Sequence, residues 1–138
     1  MTIAREIMTG GAQCVRSDET AGDAARLMKE TGVGALPICG PDNKIKGVVT
    51  DRDLVVKVLG AGRDPAEFPA GSLNQAEAVT IGADDTAEEV LETMSQHQVR
   101  RLPVIDGDQL VGMVAVADVA RTLPHPDTGQ LVESLSAD

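Results

Sequence analysis

Val99-Arg100-Arg101-Leu102-Pro103-Val104-Ile105 repeats, 66 residues later, the form of Val33-Gly34-Ala35-Leu36-Pro37-Ile38-Cys39. Each is a short aliphatic run with one proline and reads as a strand. The proline points to a sheet edge or an interrupted ladder, because it has no N–H to donate. The likeness extends outward on both sides. Ahead of the first run, Thr20-Ala21-Gly22-Asp23 has the Thr-x-x-acid form of a helix capping box, and Ala21, Ala24, Ala25 and Met28 follow at the spacing of an amphipathic helix. Thr86, Glu89 and the stripe Ala87, Val90, Leu91, Met94 repeat that pattern. Behind each run comes a polar turn, Gly40-Pro41-Asp42-Asn43-Lys44 or the shorter Asp106-Gly107-Asp108-Gln109. The segments Ile45-Lys46-Gly47-Val48-Val49 and Leu110-Val111-Gly112-Met113-Val114 then read as hairpin partners. A closing helix is predicted roughly from Asp51 to Leu59 and from Val116 to Leu123.

The predicted fold class is therefore α/β (α+β), with a strand, helix, strand, strand, helix unit occurring twice. Self-similarity at a period shorter than a domain marks duplicated supersecondary units, and 138 residues suit two small repeats better than two independent cores. The expected boundaries are residues 1–61 for the first repeat, 62–71 for a linker, 72–123 for the second repeat and 124–138 for a tail. The linker is rich in Gly and Pro, with room for one helical turn after Pro65. Pro124-His125-Pro126 ends the last helix.

Composition narrows the function. Hydrophobic residues make up 42% of the chain and charged residues 25%, yet Phe68 is the only aromatic side chain and the net charge is -10. Single-stranded nucleic acid calls for aromatic stacking platforms and a basic track, so no nucleic-acid partner is expected. An anionic small ligand would need a local cluster of arginine or lysine. The opening residues hold no signal-peptide run, and nowhere do 18 apolar residues stand together. The reading is a cytoplasmic protein without a membrane partner, non-Sec export being left open.

With both repeats laid out, the chain resembles the cystathionine-β-synthase (CBS) domain family. The marks are the helix after Thr20 or Thr86, a Leu-Pro-hydrophobic strand, and a Gly-x-x-Thr/Ser-x-x-Asp segment opening the final helix, over about residues 7–123. Ala4-Arg5-Glu6-Ile7-Met8, Gly34-Ala35-Leu36-Pro37-Ile38-Cys39-Gly40, Thr50-Asp51-Arg52-Asp53 and His97-Gln98-Val99-Arg100-Arg101 are similar to stand-alone CBS pairs of the actinobacterial hypoxic-response type. The resemblance implies two CBS repeats packed as a pseudo-two-fold pair, a homodimer, no attached enzyme, and a role in stress or dormancy.

It also implies a ligand, with AMP, ADP, ATP or a related adenosyl compound as the leading class. On the family pattern, Gly47-Val48-Val49-Thr50-Asp51-Arg52-Asp53 sets Thr50 on phosphate and Asp53 on ribose, with Leu36, Pro37 and Ile38 as pocket wall. The chemistry is apt, since a carboxylate accepts from both ribose hydroxyls and a hydroxyl at a helix N-terminus suits phosphate. Arg100 and Arg101, with Arg52, are the expected cations, a guanidinium being suited to phosphate oxygens. The second copy reads Gly112-Met113-Val114-Ala115-Val116-Ala117-Asp118, keeping Asp118 but replacing the hydroxyl by Ala115, so two unequal sites are expected. Two plainer readings stand beside these. Thr50-x-x-Asp53 is also a capping box, and Arg100 and Arg101 also suit an interface or a surface ion pair.

The same resemblance implies a disulfide between Cys14 and Cys39, whose counterparts Thr80 and Ile105 carry no sulfur. The bridge would close a 26-residue loop, worth roughly 3–4 kcal/mol by chain entropy, whereas a reducing cytosol favours free thiols. His97 and His125 are the only histidines. Zinc at His97 would need donors brought in by tertiary or dimer contacts. No phosphate-binding loop, nucleophile elbow or His-x-x-x-His pair occurs, and no enzyme is expected. The alternative function is a stress or interaction protein without a nucleotide, stabilised by the Cys14–Cys39 bridge.

Overall fold

A computed structural model of the chain describes residues 1–11, 13–73 and 78–123. A short helix α1 (Ala4–Ile7) opens the chain, and the repeat predicted from sequence appears in both copies. Helix α2 (Ala21–Thr31) starts at the expected box, where Thr20 Oγ1 accepts from Asp23 N at 3.1 Å and the Asp23 carboxylate accepts from Thr20 N at 3.0 Å. It buries Ala21, Ala24 and Met28. Ala25 is exposed, contrary to the predicted stripe, because the buried face tilts toward Leu27, which packs on the core instead. Helix α4 (Ala87–His97) is its counterpart, with Thr86 Oγ1 accepting from Glu89 N and Ala87, Val90 and Met94 buried. Both helices stop in the left-handed conformation, at Gly32 (φ 70°) and at Gln98 (φ 53°). Glycine takes that conformation at no steric cost, whereas glutamine does not.

In one sheet, β3 (Ala35–Cys39) lies between β2 (Val15–Arg16), parallel to it, and β4 (Ile45–Thr50), antiparallel to it. In the other, β1 (Thr9–Gly10), β7 (Gln109–Ala115), β6 (Arg101–Asp106) and β5 (Ile81–Gly82) follow in that order. Both proline strands are thus central, which corrects the edge expectation. Nor is the antiparallel ladder interrupted at the prolines, since Pro37 stays paired with Val48 and Pro103 with Met113. The parallel neighbours join only at Ile38 and Val104, one residue past Pro37 and Pro103, so neither missing N–H breaks an established ladder.

The closing helices differ from the plain α-helices expected. In the first repeat α3 (Asp51–Asp53) widens into a π-helical stretch (Leu54–Leu59), with Gly60 N donating to Val55 O at 2.7 Å. In the second, α5 (Val116–Ala120) gives way to turn bonds from Arg121, Thr122 and Leu123. The tail after Leu123, with His125, lies outside the described residues.

The described chain forms two compact units that do not follow the boundaries read along the sequence. One holds residues 1–11 with 79–123, the other residues 13–73 with 78. Each repeat's leading segment packs on the other repeat. In the first unit Ala4 N donates to Asp85 O, Arg5 N to Ala83 O, and Ala87 N to Thr2 O. In the second, Ala70 N donates to Glu19 O, Gly71 N to Ser17 O, and Ala21 N to Phe68 O. These are the same three bonds at the same 66-residue offset, and Ala4 and Ala70 are both fully buried. Residues 1–11, counted with the first repeat, therefore fold with the second. The stretch read as a linker up to residue 71 is the leading segment of the second repeat, capping α2 and entering its core with Ala70. Backbone N–H groups at a helix start need acceptors, and a preceding segment laid across them supplies acceptors in each unit.

Each unit has its own aliphatic core, which corrects the expectation that repeats this small share one, because the other repeat's leading segment completes each. Val15, Leu36, Ile38, Val49, Val58 and Leu73 anchor one, and Val90, Met94, Leu102, Val104, Val114 and Val119 the other. Among the described residues no helix is long and apolar enough to cross a membrane.

Candidate functional site

Thr50 ends β4 with extended backbone (φ -112°) and caps the helix that follows. Its Oγ1 accepts from Asp53 N at 3.1 Å, and its own N–H donates to Asp53 Oδ2 at 2.9 Å. The capping box weighed as the plainer reading is therefore formed. Asp53 Oδ1 lies 3.3 Å from Lys57 Nζ, which also donates to Leu73 O at 3.1 Å. Lys57 was not anticipated as part of this cluster, although its i, i+4 spacing from Asp53 was legible. Arg52 is exposed; its backbone N–H donates to Asp51 Oδ1 at 2.8 Å.

The strand beside this helix is buried from Ala35 to Cys39. Leu36 and Ile38 belong to the core, which gives them a packing role, while Pro37 faces the other side of the strand. Gly34 immediately precedes the strand, and its carbonyl accepts from Asp51 N at 2.9 Å. A Cβ at Gly34 would stand 3.0 Å from Asp51 Oδ2, so this glycine makes room for the carboxylate.

The second repeat builds the same backbone with other side chains. Val116 N donates to Arg100 O at 2.9 Å, repeating the Asp51 to Gly34 bond. Asp118 Oδ2 accepts from Ala115 N at 2.7 Å, but Ala115 has no oxygen to return the bond, so only half of the box forms. Asp118 Oδ1 pairs with Arg121 at 2.6 Å. Arg100 and Arg101 are exposed on this unit, Arg101 opening β6 opposite Ala115. The predicted residues thus divide between the units. Thr50, Arg52, Asp53, Leu36, Pro37 and Ile38 fall in one, and Arg100, Arg101 and Asp118 in the other.

The cysteines are bridged. Cys14 and Cys39 form a disulfide with a Cα separation of 5.7 Å, tying the start of β2 to the end of β3. Arg16 works at the same end of the sheet, donating to Asn43 Oδ1 at 2.9 Å and to Gly40 O at 3.3 Å. The electrostatics of this unit are local. The Asp23 carboxyl is held below its ordinary value by the backbone N–H of Thr20 first and its hydroxyl second. The backbone N–H of Lys44 lowers Asp42 in the same way.

The residues from 4 to 60 and from 70 to 125 match the family model of the CBS domain. The chain belongs to the CBS domain family. The two matched segments begin 66 residues apart, at the buried alanines of the two exchanged leading segments. Hypoxic response protein 1 of Mycobacterium tuberculosis is 46% identical over 135 residues, covering 98% of this chain and 94% of the relative. A crystal structure of Hypoxic Response Protein I with two coordinated zinc ions superimposes with a TM-score of 0.81 at 48% identity, over 89% of this chain and all of that one. A hexameric CBS-CP12 protein from bloom-forming cyanobacteria gives 0.77 at 31% identity, covering 88% of this chain and 71% of its own. CBSX2, solved in complex with AMP, gives 0.73 at 23% identity over 88% and 95%, a likeness of fold.

The zinc of the hypoxic-response structure can be tested against the donors present in this chain. Among the described residues no three His, Cys, Asp or Glu side chains are grouped to hold a metal ion. Both sulfurs are committed to the disulfide, and His97 is exposed in the last turn of α4. The described donors do not fit a zinc site.

Proposed function

We propose that this CBS pair is a non-catalytic regulatory or stress-response protein that binds an adenine nucleotide through the unit carrying Thr50 and Asp53, and that it works as a homodimer. The observation that carries the reading is the contrast at one position of the repeat. Thr50 presents a hydroxyl at the start of a helix, beside an Asp of the family's ribose type, where the second repeat has Ala115. AMP bound to CBSX2 supports the ligand class, the hexameric CBS-CP12 protein supports self-association, and the relative from M. tuberculosis supports the stress role. Arg52 is the cation proposed for phosphate in the unit of Thr50 and Asp53, and Arg100, Arg101 and Asp118 would serve the weaker site of the other unit. A cytoplasmic location goes with this reading.

Titration calorimetry and thermal shift with AMP, ADP and ATP test it. One ligand per chain is expected, with Asp53→Asn lowering affinity at least tenfold. A ligand at 100 times its Kd would add about 2.7 kcal/mol to stability. The absence of both heat and thermal shift at millimolar ligand would sink the proposal.

A specific observation favours a second reading, an interaction protein with no nucleotide. Both acids of the ribose type already hold a cation one turn along, Asp53 with Lys57 and Asp118 with Arg121. On that reading the Cys14–Cys39 bridge and these pairs are structural. A zinc role for His97 would require donors from a second copy or from residues past Leu123. Elemental analysis of protein purified without an affinity tag decides that point.

A further inference from the structure

The carboxylate of Asp53 has both oxygens engaged. Oδ2 accepts from Thr50 N at 2.9 Å, and Oδ1 lies 3.3 Å from the Lys57 ammonium. The first bond belongs to the helix cap, so Oδ1 is the oxygen left for a ligand, and Lys57 stands on it. A helix acid with a base one turn along is a common surface pair, and Asp23 with Arg26 at 3.2 Å shows its plain form. Lys57 differs from that form. Its Nζ also donates to Leu73 O at 3.1 Å, and Leu73 is buried in the core of this unit, on the segment that leads into the second repeat. The ammonium is thereby held over Oδ1 from a second side, whereas Arg26 has no further anchor among the described residues. The Asp53 side chain is also the more covered acid, 22% exposed against 34% for Asp23. In the other repeat Lys57 corresponds to Thr122, and Arg121 covers the acid instead, 2.6 Å from Asp118 Oδ1. The same oxygen is guarded in both repeats although the cation and its spacing differ.

We infer that Lys57 gates this site, its ammonium competing with the ribose diol for Asp53 Oδ1. The inference rests on the nucleotide reading and adds a regulating residue to it. A carboxylate receives an ammonium or a pair of hydroxyls through the same lone pairs, so the ion pair opens as the ribose enters. Lys57 lies one turn past Asp53 along the helix, while phosphate is proposed at Thr50, one turn before it. The displaced ammonium therefore does not recover its lost partner at the phosphate. Its bond to Leu73 O keeps it beside the site, so the pair closes again when the ligand leaves. Lys57 is 53% exposed, which keeps the cost to affinity at that of one surface ion pair.

Calorimetric titration of the full chain with AMP and with 2′,3′-dideoxy-AMP provides the test. The two nucleotides carry the same base and phosphate, so the ratio of their Kd values isolates the diol and cancels the long-range effect of removing one positive charge. In Lys57→Met the preference for AMP over the dideoxy analogue is expected to rise about two- to fivefold above wild type, the range open to an exposed ion pair, with an unchanged far-ultraviolet circular dichroism spectrum. Lys57→Gln should act in the same sense and serves as the check should Lys57→Met misfold. Wild-type binding of AMP with a preference that neither variant changes overturns the gate alone and leaves Lys57 a structural helix pair. A lowered preference also overturns it, because Lys57 would then hold the ribose. Failure of the wild type to bind AMP overturns the nucleotide reading and the gate with it.

Discussion

The two units were built from one repeat and have diverged by a consistent rule. Backbone hydrogen bonds have been kept, and the side chains around them have been exchanged in compensating sets. Gly34 with Asp51 in one unit corresponds to Arg100 with Val116 in the other, and the strand-to-helix bond is 2.9 Å in both. Thr50 corresponds to Ala115, yet the carboxylate still accepts from the backbone at 2.9 and 2.7 Å. Gly32 corresponds to Gln98, and both take the left-handed turn that ends the helix. Cys14 and Cys39 correspond to Thr80 and Ile105, so the covalent clasp belongs to one unit only. The lesson is that the fold is specified by backbone groups needing partners, while chemistry is free to vary wherever a side chain is not the only way to supply one.

The largest effect should come from the clasp. Removing it by reduction or by Cys14→Ala with Cys39→Ala is expected to cost roughly 3 kcal/mol, the chain-entropy value for a loop of this size. Amide hydrogen exchange should rise across β2, β3 and β4, with β6 and β7 little changed. Equal loss of protection in both units would break the comparison.

Next is a close contact in the other unit. A Cβ on Gly112 would lie 2.6 Å from Thr9 O, where β1 is laid against β7. Gly112→Ala should cost about 2 kcal/mol, in the range for overpacking, and should free residues 1–11 to exchange. Retained protection of the amides in residues 4–10 would remove the steric account.

The caps sharpen the contrast at smaller scale. Thr50→Ala should destabilise its unit by about 1 kcal/mol, and Ala115→Thr should stabilise the other by a similar amount, both read by urea denaturation. Under the nucleotide reading, Ala115→Thr should also raise ligand stoichiometry in calorimetry. No change in stability from either substitution would mean that the hydroxyl is idle as a cap.

The smallest effect is set by pH. Asp23, beside Thr20, titrates below the 3.8 of an ordinary aspartate because the Thr20 N–H and hydroxyl favour its charged form. A depressed folded-state value adds stability that is complete above 3.8 and disappears as pH falls through the lowered value. The gap in denaturation midpoint between wild type and Asp23→Asn should therefore narrow from pH 7 to pH 3. A constant gap would exclude the ionised carboxylate as its cause.

The sequence by itself determined the duplicated unit, the helices and their threonine caps, the strands on either side of each turn, and the asymmetry between Thr50 and Ala115. These are local facts, since capping, periodicity and turn chemistry act over a few residues. Only the tertiary structure decided that the proline strands are central, because centrality depends on where a distant parallel strand begins. It alone revealed the exchange of the leading segments. Ala4 and Ala70 matched at the repeat offset, but nothing local says which helix start they cap. It also brought Lys57 to Asp53 and Leu73 O, turning a common i, i+4 spacing into part of the candidate site. The exposure of Val55, Val56 and Leu59 was decided at the same level. A run of aliphatic residues reads as core until the packing leaves part of it in water.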